Sequence, residues 1–113
     1  MIIDFNNIDE QHLPHFKGGE KEMVTRMFTN SLGKIMRSSL EPGASIGYHA
    51  HEENSEIIYL LDGEGTVIYD DNQPVRLMPG QVHYCPMGHS HSLRNESDKP
   101  LSFLGIVQEH HVE

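Results

Sequence analysis

Turn-forming residues interrupt this chain at short, near-even intervals, from Gly18-Gly19 to the Asn-Glu-Ser-Asp stretch at residues 95–98. Clusters of Gly, Pro, Asn, Asp and Ser favour turns because these residues reach positive φ or hydrogen-bond their own backbone. Short strands separated by regularly spaced turns are typical of an all-β barrel or sandwich. Eight runs between the turns have strand composition: residues 23–29, 34–40, 56–61, 66–69, 75–78, 82–85, 89–95 and 101–108. No segment carries a long helical period, and the one short helix that the sequence predicts spans residues 8–13.

Two of the predicted strands are apolar on both faces. Residues 56–61 read Glu-Ile-Ile-Tyr-Leu-Leu, and residues 101–107 are similar. Because side chains alternate between the two faces of a strand, such runs are expected to be buried on both sides. This pattern favours either a closed barrel or a sheet that also packs against a second subunit.

The length of the chain predicts a single domain. Its 113 residues match the usual size of one domain, and a hydrophobic content of 36% is adequate for a core. We expect residues 1–113 to form one unit, with a core barrel over about residues 21–108, an N-terminal arm over residues 1–20 and a C-terminal tail over residues 109–113.

Charge and cysteine content argue against several classes of protein. The net charge of −9, without a cluster of Lys and Arg, argues against nucleic-acid binding. No apolar run is long enough to span a membrane, and residues 1–6 lack the features of a signal peptide. Cys85 is the only cysteine, which excludes both an intrachain disulfide and a zinc site built on several thiolates. We therefore expect a cytoplasmic protein without nucleic-acid or membrane partners.

The first of two segments rich in candidate metal ligands lies between Gly43 and Gly63. It places His49, His51 and Glu56 at spacings of two and five residues. Side chains two apart on a strand point the same way, so the two imidazoles can share one face. Glu56 opens an apolar strand, where a carboxylate without a partner would be costly to bury. A metal or another cation would remove that cost.

The second segment runs from Gly80 to Asn95. Pro86 and Gly88 predict a tight turn directly before the strand that carries His91. His91 and Asn95 are four residues apart on this predicted strand, and therefore lie on the same face.

Together the two segments favour a site for one divalent metal. Three neutral imidazoles and one carboxylate leave about two positions open on a six-coordinate ion, as a catalytic or ligand-binding site requires. Each residue also has an ordinary interpretation by itself. His49 and His51 could form a polar strand face, Glu56 could be a salt-bridged carboxylate, and His91 could be a surface histidine. The joint pattern favours metal binding.

Several neighbouring residues are weaker candidates. His89 competes with His91 as a ligand if the strand is already straight there, but a place beside the site or on the surface is the simpler interpretation. His83 is expected at the surface, with an acid–base role as the alternative. Cys85 is expected to be a small core residue, and Arg37 and Arg94 are expected on outer faces, although each could bind an anionic substrate. The histidines near the termini receive no role: His12, His15, His110 and His111.

The two segments resemble the two motifs of the cupin superfamily, with each Gly, Pro, His, Glu and Asn marker present over about residues 43–95. The resemblance implies a double-stranded β-helix, a jelly-roll-like barrel, with His49, His51, Glu56 and His91 as ligands inside it. Asn95 would be a structural marker. Small cupins are commonly homodimers that bind manganese, iron, nickel, cobalt, copper or zinc. Three His and one Glu resemble the manganese- and iron-binding members, so we expect one divalent ion per chain, with Mn or Fe favoured.

The resemblance implies a metalloenzyme that acts on a small organic molecule inside the barrel. Dioxygenase- or decarboxylase-type chemistry is favoured, and sugar isomerase or epimerase chemistry is an alternative. A non-catalytic cupin that binds a small metabolite or sugar is the alternative from a different class. A metal that only stabilises the fold is disfavoured, because a barrel of this length has enough core without it. The residues do not choose among substrates.

Overall fold

The structure, a computed structural model, describes residues 1–110. Ten strands and two short 3₁₀ turns account for its regular structure, which confirms the all-β prediction. The turns span Phe5–Asn7 and Phe16–Gly18. The strands are β1 Gln11–Pro14, β2 Glu22–Asn30, β3 Gly33–Leu40, β4 Ser45–Ala50, β5 Asn54–Asp62, β6 Gly65–Tyr69, β7 Val75–Leu77, β8 Val82–Cys85, β9 Ser90–Arg94 and β10 Leu101–Glu109.

The strands form two antiparallel sheets. The larger sheet has the order β1-β2-β3-β10-β5-β8, and the smaller has the order β4-β9-β6-β7. Strands that are far apart in sequence therefore lie side by side: β10 pairs with both β3 and β5, and β9 pairs with β4 and β6. This arrangement agrees with the double-stranded β-helix that the resemblance implies.

The core fills the space between the two sheets. Strand β10 shows the expected alternation, with Leu101, Phe103 and Val107 buried and the side chains between them half-buried. Strand β5 buries Ile58 and Leu60 completely, whereas Tyr59 on its other face is 38% exposed. The two strands that looked apolar on both faces therefore bury only one face fully within a single chain.

The N-terminal segment differs from the sequence prediction. The helix expected over residues 8–13 is wrong, because Gln11–Pro14 is a strand in register with β2. The physical reason is tertiary: β2 supplies backbone partners to this short segment, which has no helical period to oppose them. No helix among residues 1–110 is long and apolar enough to cross a membrane.

The turn at Phe16–Gly18 packs tightly on β4. A Cβ atom added at Gly47 would lie 2.0 Å from the carbonyl oxygen of Lys17, and one added at Gly19 would lie 2.0 Å from that of Ser45. The two backbones therefore touch at positions where only glycine fits. This contact fixes the N-terminal turn beside the strand that carries His49.

Candidate metal centre

Four side chains from both sheets converge at one end of the barrel interior. His49 on β4 and His91 on β9 face each other in register, and Glu56 projects from β5 on the opposite sheet. His51 directly follows β4. One ligand atom from each of these four residues lies within 4.8 Å of all the others. The structure thus brings together the four residues that the sequence singles out.

The three imidazoles form a regular triangle. The ring centroids of His49, His51 and His91 are 4.8 Å apart in all three pairs, with interplanar angles of 60–65°. His51 and His91 are 5% and 2% exposed, whereas His49 is half-buried. The triangle is therefore accessible from the His49 side.

The Nδ1 atom of each imidazole is occupied outside the triangle. That of His49 donates to the carbonyl oxygen of Gly47 at 2.7 Å. That of His51 donates to Oδ1 of Asn54, and that of His91 lies 2.9 Å from Nε2 of His83. Because a neutral imidazole has a single N–H, the first two rings present an unprotonated Nε2 to the centre. Partners of this kind orient metal-binding histidines in proteins.

Groups that accept hydrogen bonds meet at the centre of the site. Nε2 of His51 lies 2.9 Å from Nε2 of His91, and Oε1 of Glu56 lies 3.2 Å and 3.0 Å from these two nitrogens. Lone pairs packed this closely repel one another unless a cation lies among them or a proton occupies one nitrogen. Neutral imidazole and carboxylate suit first-row divalent metals, so the donor set fits such an ion.

The pKa values agree with a site that attracts positive charge. Burial opposes ionisation of Glu56, but the hydrogen bonds that His51 and His91 donate when they are protonated outweigh it and lower the pKa of this carboxyl to about 2. Burial also opposes protonation of His51, and the bonds to Glu56 and Asn54 still raise its pKa. Burial lowers the pKa of His49. An anionic carboxylate is thus present at any ordinary pH.

His83 is not the surface residue that the sequence predicts. It is half-buried, faces the barrel interior from β8, and its Nε2 contacts Nδ1 of His91. Burial and the charge of His91 lower the pKa of His83 to about 4, so it is neutral and can accept the N–H of His91. The two-residue alternation with buried Cys85 in the short strand β8 was the only sequence signal for this orientation.

His89 lies apart from the four-residue group. Its Nδ1 is 2.7 Å from the carboxylate of Asp70 and 3.0 Å from the hydroxyl of Tyr69. The strand begins only at Ser90, so the condition for His89 to share a face with His91 is not met. Asn95 is buried and its amide donates to two backbone carbonyls, which suits a structural residue.

The remaining candidates of the sequence stay outside the site. Arg37 and Arg94 are exposed. Cys85 is fully buried, and burial raises the pKa of its thiol to about 12. Three histidines near the termini bond elsewhere, and His111 lies outside the described residues. Their partners are Glu22 for His12, Gly19 for His15 and Ser55 for His110.

A cavity of about 280 Å³ opens onto the site. His49, His51 and Glu56 line it, together with Lys17 and Lys34. These two lysines were not among the residues predicted from the sequence to bind an anion, which were Arg37 and Arg94. The available signal was alternation in β3, where Lys34 shares a face with the buried residues 36, 38 and 40. The rest of the wall is mixed. Its apolar part is Phe16, Met27, Met36, Ala50 and Val107, and its polar part is Glu52, Glu53, Asn54 and Glu109.

Known proteins share both the sequence and the fold. The cupin domain model matches residues 36–107. An oxalate-binding protein of Thermotoga maritima is 31% identical, over 95% of this chain and 93% of that protein. The crystal structure of a predicted oxalate decarboxylase from Thermotoga maritima superposes with a TM-score of 0.88 at 28% identity, covering 96% of this chain and 99% of that one. An oxalate decarboxylase of Bacillus subtilis is 30% identical over 82% of this chain, which spans 26% of that protein. The chain therefore belongs to the cupin family.

Proposed function

We propose that this cupin holds one divalent metal, Mn or Fe by preference, through His49, His51, Glu56 and His91, and binds a small carboxylic acid beside it. Decarboxylase-type chemistry is favoured, with dioxygenase chemistry next. The observation that carries the proposal is the close approach of unprotonated imidazole nitrogens and an ionised carboxylate, which calls for a cation among them. The names of the relatives, an oxalate-binding protein and an oxalate decarboxylase, support the class of ligand.

A ligand can reach the candidate metal centre from one side. Three of the candidate ligands line the cavity, whereas His91 does not and is bonded to His83 behind it. A ligand therefore reaches the centre from the side of His49. A divalent ion held there would supply Lewis acidity to a bound carboxylate, and redox chemistry if it is Mn or Fe.

The size of the cavity suits a small ligand. Its volume of about 280 Å³ lies just under the range of roughly 300–1,000 Å³ that accommodates drug-sized ligands. Apolar side chains form part of the wall. A non-catalytic binding protein is the second candidate, favoured by the name of the oxalate-binding relative.

Metal analysis and calorimetry test the proposal. Untagged protein is expected to contain about one divalent ion per chain and to bind oxalate only when metal is present. His51→Ala should lose both metal and oxalate while keeping its far-ultraviolet circular dichroism spectrum, because His51 lies at the end of a strand. Retention of oxalate binding by the metal-free variant would refute the site.

Release of CO₂ and uptake of O₂ separate the enzyme from the binding protein. CO₂ release from oxalate without net O₂ uptake indicates a decarboxylase, and stoichiometric O₂ consumption indicates an oxygenase. Tight metal-dependent oxalate binding without turnover, in air and under nitrogen, would identify the non-catalytic alternative.

We propose further that two copies associate through the outer face of the larger sheet. Val82 and Tyr84 on β8 are 56% and 54% exposed and stand in register with Tyr59 and Ile57 on β5. Leu104 and Ile106 on β10 extend this apolar face, and the acidic residue on it is Asp62 at the end of β5, opposite Ser102. Two chains with a charge of −9 can therefore meet on a surface whose centre is apolar, with Asp62 at its end.

Sedimentation tests this association. The native chain is expected at twice its mass of 12.8 kDa, and Val82→Glu at the monomer mass. Val75→Glu is the matched control, because Val75 is 64% exposed on β7 in the other sheet. A monomeric native protein would contradict the proposal.

A further inference from the structure

Lys34 lies on the same inner row of side chains as the carboxylate of the metal centre. The register pairs Lys34 of β3 with Val107 of β10, and Val107 with Glu56 of β5. Adjacent strands are about 4.8 Å apart, so the backbones of Lys34 and Glu56 are separated by about 10 Å. Only the apolar side chain of Val107 stands between them. The flexible stem of a lysine can cross much of this distance.

The orientation of Lys34 is inward. It alternates with Met36 and Ser38, which are both buried, and it lines the cavity beside His49. The side chain is half-buried, and no carboxylate within residues 1–110 lies within ion-pairing distance of its ammonium. A partly desolvated ammonium without a counter-charge is costly, and a bound anion would offset that cost.

Lys17 approaches the same cavity from the other side. Its backbone is held by the close contact with Gly47, two residues before His49 on β4. Its side chain follows Phe16, with the ammonium 5.6 Å from the ring centroid, and has no ion-pair partner in the described part of the chain.

These lysines are unusual in so acidic a chain. The sequence has 8 Lys and Arg against 17 Asp and Glu, yet two of the cations line this one cavity. Three carboxylates besides that of Glu56 also line it, so acidic side chains outnumber the two lysines there. Glu52 and Glu53 are exposed, and Glu109 accepts a hydrogen bond from the amide of Asn54. None of the three neutralises Lys17 or Lys34 directly.

We propose that Lys34, assisted by Lys17, determines specificity for the dianion of a small dicarboxylic acid. One carboxylate occupies the metal centre, and the charge of the second is recognised by the two ammonium groups at the wall of the cavity. A monoanion or a neutral sugar of similar size lacks the group that these lysines bind. This inference rests on the proposed function, because it requires a carboxylate beside His49, His51, Glu56 and His91.

Calorimetry with two matched probes tests the role of Lys34. Oxalate carries two carboxylates, and oxamate replaces one of them by a neutral amide of nearly the same shape. In Mn²⁺-loaded protein, Lys34→Gln is expected to raise the Kd for oxalate about tenfold and to change that for oxamate by less than about threefold. Lys34→Arg should retain most of the preference for oxalate. In both variants the Kd for Mn²⁺ should stay within about twofold of the native value.

Two further variants complete the experiment: Lys17→Gln, and the double variant that combines it with Lys34→Gln. Lys99→Gln is the control for loss of one positive charge outside the cavity. We expect Lys17→Gln to raise the Kd for oxalate less than Lys34→Gln does. The double variant should raise it most, and Lys99→Gln should leave it unchanged. If native protein binds oxalate but every cavity variant keeps the native ratio of oxalate to oxamate affinity, the role of the lysines is refuted and the proposed function stands. If native, metal-loaded protein binds no dicarboxylate, the proposed function itself fails.

Discussion

His83 orients the imidazole ring of His91 through a hydrogen bond. Its Nε2 accepts from Nδ1 of His91, while Nε2 of His91 faces Glu56. Replacing His83 by alanine is expected to weaken Mn²⁺ binding about 10- to 100-fold, as removal of such supporting partners usually does. His83→Gln keeps an acceptor and should restore much of the affinity. The measurement is competition with a fluorescent chelator.

His89→Gln is the matched control for this experiment. His89 is close in sequence but bonds to Asp70 and Tyr69, away from the four-residue group. The His89→Gln variant should bind Mn²⁺ with the same affinity as the native protein. Equal loss in the His83 and His89 variants would show a general structural effect and contradict a specific role for His83.

Acid should weaken metal binding through the imidazoles and not through the carboxylate. Glu56, with a pKa of about 2, stays ionised between pH 4 and 8. The pKa of His51 is raised above 6.5 in the folded chain, so below that value a proton occupies a nitrogen that the metal needs. The affinity for Mn²⁺ should therefore fall steadily from about pH 7 to pH 5. A flat profile over this range, measured by chelator competition, would contradict the assignment of His51.

At the scale of elements, β4 depends on a glycine. A Cβ at Gly47 would overlap the carbonyl oxygen of Lys17, so Gly47→Ala forces the N-terminal turn away from the strand. We expect a loss of about 2 kcal/mol in the free energy of unfolding, the usual size of an overpacking effect. Urea unfolding followed by circular dichroism measures it.

Gly105→Ala on β10 is the control for that substitution. Its added methyl group would meet the flexible side chain of Met36 at 3.0 Å and no backbone atom nearer. Gly105→Ala should lower the free energy of unfolding clearly less than Gly47→Ala does. Equal costs would mean that the contact between the turn and β4 is not rigid.

Over the whole molecule, the fold should survive loss of the metal. The buried hydrophobic cluster comes from strands of both sheets and includes Met23, Leu40, Ile58 and Phe103 but none of the candidate ligands. Chelation is expected to lower the free energy of unfolding by about 3–4 kcal/mol relative to protein with metal at 100–1,000 times its Kd. The circular dichroism spectrum should stay that of a β protein. A spectrum of unfolded chain after chelation would show that the metal is structural.

Local features of the sequence predict much of this protein. Regular turns and short apolar runs indicate an all-β fold because both signals depend on neighbouring residues. The spacing of His49, His51 and Glu56 predicts a shared site for a similar reason, since strand alternation and one turn determine their directions. Two strands are exceptions. Gln11–Pro14 pairs with β2, which overrode a weak helical expectation, and Ser45–Ala50 is not among the eight predicted runs.

The tertiary structure alone decides where distant residues lie relative to the site. Register between β4 and β9 places His91 opposite His49, and register across β3, β10 and β5 places Lys34 in line with Glu56. A shift of one residue would turn each of these side chains to the opposite face. Register depends on packing between strands that are tens of residues apart, which no local pattern encodes. The sequence by itself thus determined the fold class and the identity of four candidate ligands, whereas only the tertiary structure placed His83 behind them and the two lysines at the cavity.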